Sequence, residues 1–294
     1  MKAAVLPDRG VVRVAGDEAR AFLNGLLTAD ITQLAPGRAR FAALLTPQGK
    51  IIADCIVVED DSAGDGGAFL LDCPRELATV LADRLKFYKL RAKVTIEDAS
   101  QRLAVLAFWD GTATASTGFS DPRLPALGQR IILPADGAAQ TAAGLGAQLV
   151  DADEYDAHRI ALAVPRGGLD FTYGDAFPHE ADMDQLNGID FAKGCYVGQE
   201  VVSRMEHRGT ARNRIVQIAV EGAAPGPGVP VMAGSRQVGT TGSSAGRNGL
   251  AMLRLDRMAD ANAAGTPLTA DGVVIRARKP DWARFAWPEE KAAE

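Results

Sequence analysis

Short apolar runs broken by glycine turns set the pattern of the first hundred residues. "GVVRVAG" (10–16) predicts a short strand. "DEARAFLNGLL" (17–27) then places Ala21, Phe22, Leu26 and Leu27 near helical spacing, with Asp17 as the expected N-cap. "RFAALLT" (40–46) and "KIIADCIVVE" (50–59) are extended, and "PQG" (47–49) between them is hairpin chemistry with Gly49 able to take a positive φ. "AGDGG" (63–67) predicts a turn and "AFLLDC" (68–73) a strand. "PRELATVLADRLKFYKL" (74–90) is the clearest helix, with Leu77, Val80, Leu81, Leu85 and Tyr88 on one face and Pro74 near its start. "AKVTIED" (92–98) returns as a strand. Hairpin, strand, helix and strand in that order predict antiparallel sheets with helices on one face, an α+β class.

Further along, "RLAVLAFW" (102–109) and "QRIILP" (129–134) predict strands, and the small, low-complexity run 135–148 predicts a surface connection. "DADEYDAHRIALAVP" (151–165) predicts a helix whose acidic start suits the positive end of its dipole. After residue 210 the texture changes to short strands, at 214–222, 228–234, 236–245, 249–255 and 272–280, separated by Gly-rich turns. That pattern predicts a small β-barrel or sandwich, with the boundary near 209–213 and a frayed tail, "PEEKAAE". The expected domains are therefore 1–210 and 211–294.

The composition, 47% hydrophobic and 23% charged, is that of an ordinary globular chain. A net charge of −5 argues against nucleic-acid binding by bulk electrostatics, which needs a basic protein, although a local basic patch stays open. Cysteines number three, Cys55, Cys73 and Cys195, so no disulfide framework or four-thiolate metal site is expected from one chain. A reducing cytoplasm is the natural reading, with no secretory signal and no membrane-spanning run.

The chemistry concentrates in "KGCYVGQE" (193–200). A cysteine acts as a nucleophile or metal ligand in its thiolate form, and Lys193 lies two residues away, where its charge can favour the anion. Gly194 and Gly198 allow close approach to the backbone. Cys55, inside "DCIVV", is a packing residue by contrast. The plain alternative is a turn with a tolerated thiol. His207 is twelve residues further on, and nothing in the sequence argues for a Cys–His pair.

"KGCYVGQEVVSRMEHRG" (193–209) resembles the signature of the YgfZ-type folate-binding proteins, meeting each of its fixed positions: Lys193, Gly194, Cys195, Tyr196, Gly198, Gln199, Glu200, Arg204 and Gly209. "DPRLPALGQR" (121–130) resembles another run of that family, and residues 22–57 resemble the start of the wider family of the glycine-cleavage T-protein. The resemblance implies two α+β folate-binding subdomains within 1–210, a C-terminal β-barrel and a role in iron–sulfur cluster assembly or repair, including clusters of radical-SAM tRNA-modifying enzymes. It implies tetrahydrofolate, or a one-carbon derivative, as cofactor. Implied partners are folate and iron–sulfur client or assembly proteins, with no membrane and no direct nucleic-acid binding.

On this reading Cys195 and Asp54 carry the chemistry, and Lys193, Tyr196, Gln199, Glu200, Arg204, Arg159, Glu180 and Asp54 hold the cofactor. A pterin needs a carboxylate or carbonyls at its amino edge and apolar faces to stack on, and its glutamate tail needs a guanidinium or ammonium. The T-protein's G-G-x-x-x-D segment reads "GKIIAD" (49–54) here, with Lys50 in place of the second glycine and Asp54 retained. No resident metal is expected. The alternative is a folate-dependent aminomethyl or one-carbon transferase with Asp54 beside the folate, so whether the protein is an enzyme stays open at this point.

Overall fold

The computed structural model describes residues 1–60, 67–111, 118–209 and 211–288. The expected turn at 63–67 and the tail from 289 lie largely or wholly outside the described residues. The chain forms two compact units, Met1–Tyr155 with Leu186–Val201, and Asp156–Gln185 with Val202–Glu294. By packing, the chain passes between these units after Tyr155, Gln185 and Val201.

The first unit holds two five-stranded sheets. One runs in the order Ala39–Leu45, Ile51–Glu59, Ala68–Pro74, Arg9–Ala15, Thr95–Asp98, all antiparallel. The other orders Gln148–Leu149, Lys2–Val5, Leu103–Trp109, Gln129–Pro134 and Phe119–Ser120, antiparallel except for the first pair. Alternation along the strands explains how they share cores. Val12 and Val14 point into a cluster with Phe69, Leu71, Leu81 and Leu85 beneath helix Ala78–Lys89. Val11, on the opposite face, joins Val105, Ala107 and Trp109 of the second sheet. Leu106 and Phe108, alternate again, pack with Ile131, Leu133, Ala138 and Ala142.

Details depart from the pattern-based expectations. Val80 is 44% exposed, because Ala78, Leu81, Ala82 and Leu85 turn the buried face of its helix away from it. The connection expected at 135–148 contains helix Ala138–Gly144, whose Ala138 and Ala142 are small enough to pack closely. Asp17 does not cap helix Ala19–Asn24; Glu18 occupies the N-cap without a side-chain cap bond, its carboxylate instead accepting the Lys93 amide at 2.7 Å.

A buried ionic network lies within this unit. Arg130 donates to Asp72 at 2.6 Å and to Asp121 at 2.9 Å. Arg9 meets the other oxygen of Asp72 at 2.5 Å, and Arg123 grips Asp121 bidentately at 2.9 and 2.7 Å. Both carboxylates are fully inaccessible.

In the second unit six strands close a barrel in the order Asn213–Val220, Asn248–Arg254, Arg236–Ala245, Pro230–Ala233, Leu268–Ala270, Val273–Arg278. Its core gathers Val216, Ile218, Val231, Ala251, Leu253 and Ile275. Helix Leu255–Ala263, absent from the pattern-based reading, adds Met258 and Ala261. The fold is α+β, as its pattern predicts. No helix of the described residues is long and apolar enough to cross a membrane.

Candidate functional site

The segment that carries Cys195 is fixed from both sides by the first unit. Thr28 begins the tie: its hydroxyl donates to the Gly188 carbonyl at 2.5 Å, and its own carbonyl accepts the Asp190 amide at 3.0 Å. Asp190 then closes an Asx-type turn, its carboxylate accepting the amides of Ala192 and Lys193 at 2.9 and 3.1 Å.

Lys193 follows, and its role differs from the expected one. Its ammonium donates to three backbone carbonyls, Asn24 at 2.8 Å, Leu27 at 2.6 Å and Ala29 at 2.8 Å, which uses every proton it has. It also sits 5.2 Å from the centre of the Tyr196 ring. Burial pushes this ammonium down to about 8, against the pull of Asp30 and Asp190. Lys193 is thus an anchor for the loop and not a charge held open for the thiol. Tyr196 is buried, and burial pushes its phenol up to about 12, with the Asp190 charge adding to the effect.

Gly198 completes the fixation. At φ +82° it packs on the 46–49 hairpin turn, where a Cβ would lie 2.7 Å from the Thr46 carbonyl oxygen and 3.1 Å from the Gly49 Cα. Gly49 takes φ +80°, as the hairpin chemistry predicts. Helix Gln199–Arg208 begins directly afterwards, with Glu200 in its first turn. Glu200 and Arg204 are exposed and Gln199 is half-buried.

Between these anchors Gly194 faces open space, and Cys195 is exposed. Cys55 and Cys73 are fully buried, and burial raises both thiols well above their ordinary value. A soft, accessible ligand is therefore offered to solvent from a loop whose backbone is held on either side.

Asp54 lies on strand Ile51–Glu59, opposite Ala43, and is 7% exposed. Against the desolvation of burial, the charges of Asp72 and Asp54 hold the Arg9 guanidinium above its usual value, which puts Asp54 in the field of the buried network. Arg159 and Glu180 belong to the second unit. Arg159 is buried and donates to Asp156 at 2.6 Å, Asp170 at 3.0 Å and the Val164 carbonyl at 3.1 Å, leaving its Nη2 without a hydrogen-bond partner. Glu180 accepts the Phe177 amide at 2.9 Å and the Asn213 side chain at 2.7 Å.

The residues at hand fit a folate in part. In the first unit Asp54 suits the amino edge of a pterin, whereas Lys193 has all three donors taken up; in the second unit, taken by itself, the Nη2 of Arg159 suits a carboxylate. His179, Asp184 and Glu206 bring ligand atoms within 4.8 Å of one another, but Arg214 occupies both oxygens of Asp184, at 2.6 and 3.0 Å. The residues that the sequence reading did not single out are Thr28, Asp190 and the carbonyls under Lys193. Asp190 had a legible signal, an aspartate three residues before Lys193 in a turn-like run. The carbonyls had none, because backbone acceptors are common to every residue.

Residues 8–114 match the GCVT N-terminal domain family, and residues 212–285 match the CAF17 C-terminal beta-barrel domain family. The aminomethyltransferase T of the glycine cleavage system from Bartonella henselae shares the fold, with a TM-score of 0.74 over 98% of this chain and 88% of that one, at 16% identity. The mitochondrial iron–sulfur cluster assembly factor IBA57 of Mus musculus is 31% identical, the match covering 96% of this chain and 84% of that protein. Its Homo sapiens counterpart is 30% identical over the same shares, 96% and 84%. The Mycosarcoma maydis homologue is 36% identical over 74% of this chain, which spans only 57% of that protein's length. These relatives are named mitochondrial, which corrects the expected cytoplasmic location: three unframed cysteines report a reducing compartment and do not say which one. By this likeness the chain belongs to the family of the iron–sulfur cluster assembly factor IBA57.

Proposed function

We propose that this protein assists the assembly of iron–sulfur clusters, with Cys195 as the ligand through which it engages cluster iron. The exposure of this one thiol among three, on a loop anchored by Lys193 and Gly198, carries the reading. The step is a ligand exchange without change of oxidation state. The thiol releases its proton to solvent, its sulfur takes a coordination position on iron, and the ligand it displaces leaves. The relatives' name supports the role, and cluster enzymes, tRNA-modifying radical-SAM enzymes among them, are the clients that this reading implies.

The test is transfer of a cluster to an apo-acceptor protein, followed by its visible absorption. Cys195→Ser is expected to abolish the transfer that wild type promotes, while the thermal midpoint stays unchanged because the side chain is exposed. Full transfer by that variant overturns the reading.

Tetrahydrofolate is the proposed cofactor, with Asp54 as its acidic contact; when bound it would supply a one-carbon or redox-active pterin at that carboxylate. A reduced folate is expected to raise the melting temperature of wild type by mass action and to do so much less in Asp54→Ala. Equal shifts in both remove Asp54 from the site, and no shift in either removes the cofactor. The match to the GCVT N-terminal domain favours a second reading, aminomethyl transfer. Turnover of an aminomethyl-lipoyl carrier protein into methylene-tetrahydrofolate would establish it.

A further inference from the structure

The outer end of helix Ala78–Lys89 carries a surface that neither the fold nor the Cys195 loop uses. Phe87 is 72% exposed and Leu90, just past the helix, is 90% exposed. They are held in place: Phe87 packs edge-on against Tyr88 at 5.6 Å, and Leu90 takes φ 45° where the chain leaves the helix. The same stretch carries Arg84, Lys86, Lys89, Arg91 and Lys93, with no acidic residue between 84 and 93 in sequence and with the Glu18 carboxylate at the Lys93 amide, 2.7 Å away, in a chain whose net charge is −5. Only Lys86 among these cations has an acidic partner among the described residues, the equally exposed Asp83 at 3.1 Å. Buried Leu81 and Leu85 fix the inner face of the helix against the sheet, so the outer face cannot turn inward to hide its apolar pair.

We propose that this face docks the protein peripherally on an anionic lipid bilayer, Phe87 and Leu90 entering the headgroup boundary and the five cations meeting lipid phosphates. Two exposed apolar side chains within a stretch rich in lysine and arginine are the composition of an interfacial anchor. Each such cation is attracted by a negatively charged membrane within a Debye length. A protein partner fits less well, because lysine is depleted from protein interfaces. Nucleic acid would use the cations and gain little from an aliphatic tip such as Leu90. Docking on a membrane needs no spanning helix, and it sets this face apart from the expectation that no membrane is a partner.

The experiment is flotation of the full chain with vesicles of phosphatidylcholine alone or with about one quarter phosphatidylglycerol, at about 50 mM and about 500 mM salt. Wild type is expected to float with the anionic vesicles at low salt and to be released at high salt. Its affinity for the neutral vesicles is expected to be weaker by at least about tenfold. Phe87→Ser with Leu90→Gly is expected to lose about tenfold in affinity, and Lys86→Gln with Lys89→Gln and Arg91→Gln about a hundredfold, each keeping the wild-type melting temperature. Phe87→Trp supplies a second readout, a blue-shifted emission on anionic vesicles only. Cys195→Ser is expected to float as wild type does, which separates this inference from the role of the thiol. Absence of flotation at low salt, or flotation indifferent to both sets of substitutions, overturns the proposal. So does loss of structured-RNA binding, instead of vesicle binding, in the charge variant.

Discussion

Arg130→Met is expected to destabilise the protein by about 3–5 kcal/mol, read as a lower urea midpoint at unchanged slope. The size follows from what is left behind. Asp72 and Asp121 are both inaccessible, and Arg130 is the group that bridges them, at 2.6 and 2.9 Å. It also donates to the Tyr155 hydroxyl at 3.2 Å. Its removal leaves the Asp72 oxygen that it met without that guanidinium donor and reduces the positive charge around two buried carboxylates to Arg9 and Arg123.

A pH signature accompanies this loss. Burial alone would raise the Asp121 carboxyl, but Arg123 and Arg130 overcome that and hold it far below the ordinary carboxylate range. A depressed folded-state value contributes stability above the unfolded value of about 3.9, and that contribution is lost as pH falls toward the folded value. Without Arg130 the folded value rises, so the acid-unfolding midpoint of the variant is expected at higher pH than that of wild type. An unchanged urea midpoint in Arg130→Met would show that the network relaxes or hydrates.

The same network shows what the sequence made legible. "DPRLPALGQR" was recognisable as a family run, yet nothing in its spacing says that Asp121, Arg123 and Arg130 meet Asp72 and Arg9 from other strands. Period-two and period-3.6 patterns report which side of an element is buried, and so the strands expected at 102–109 and 129–134 and the short C-terminal strands could be read directly, while the choice between barrel and sandwich could not. Long-range pairing between charged groups leaves no periodic trace. Small residues mislead for a related reason: Ala138 and Ala142 look like linker in composition and are a helix face in the core. At the candidate site the thiol and its glycines were legible because chemistry and backbone freedom are properties of single residues. Lys193 was misread because its charge suggested an electrostatic partner for Cys195, whereas its donors go to a turn more than 160 residues earlier in the chain. Arg159, legible as a cation, spends most of its donors on Asp156, Asp170 and a carbonyl.

Lys193→Met is therefore expected to act through the loop that presents the thiol. Methionine keeps much of the stem's apolar bulk and removes the three donors, leaving the Leu27 and Ala29 carbonyls buried without a partner and that of Asn24 partly so. An unmet buried acceptor costs about 1–3 kcal/mol, and local relaxation shares the loss, so a destabilisation of about 3 kcal/mol is expected. Lys193→Arg is expected to rescue little, because a planar fork cannot send donors to three carbonyls converging on one nitrogen. The functional effect should exceed what stability alone predicts. Without the three ammonium bonds the tie between residues 24–29 and the loop falls back on the Thr28 contacts to Gly188 and Asp190, the Asp190 turn, buried Tyr196 and the Gly198 packing, and Cys195 samples more positions. Cluster transfer is expected to fall severely even under conditions where the variant is fully folded, while alkylation of Cys195 by iodoacetamide stays as fast as in wild type. That combination separates a positioning role from an activating one: were Lys193 the electrostatic partner of the thiol, alkylation would slow along with transfer. Wild-type transfer and wild-type stability together in Lys193→Met would show that the three carbonyl bonds are dispensable, and that some other contact holds the thiol where iron can reach it.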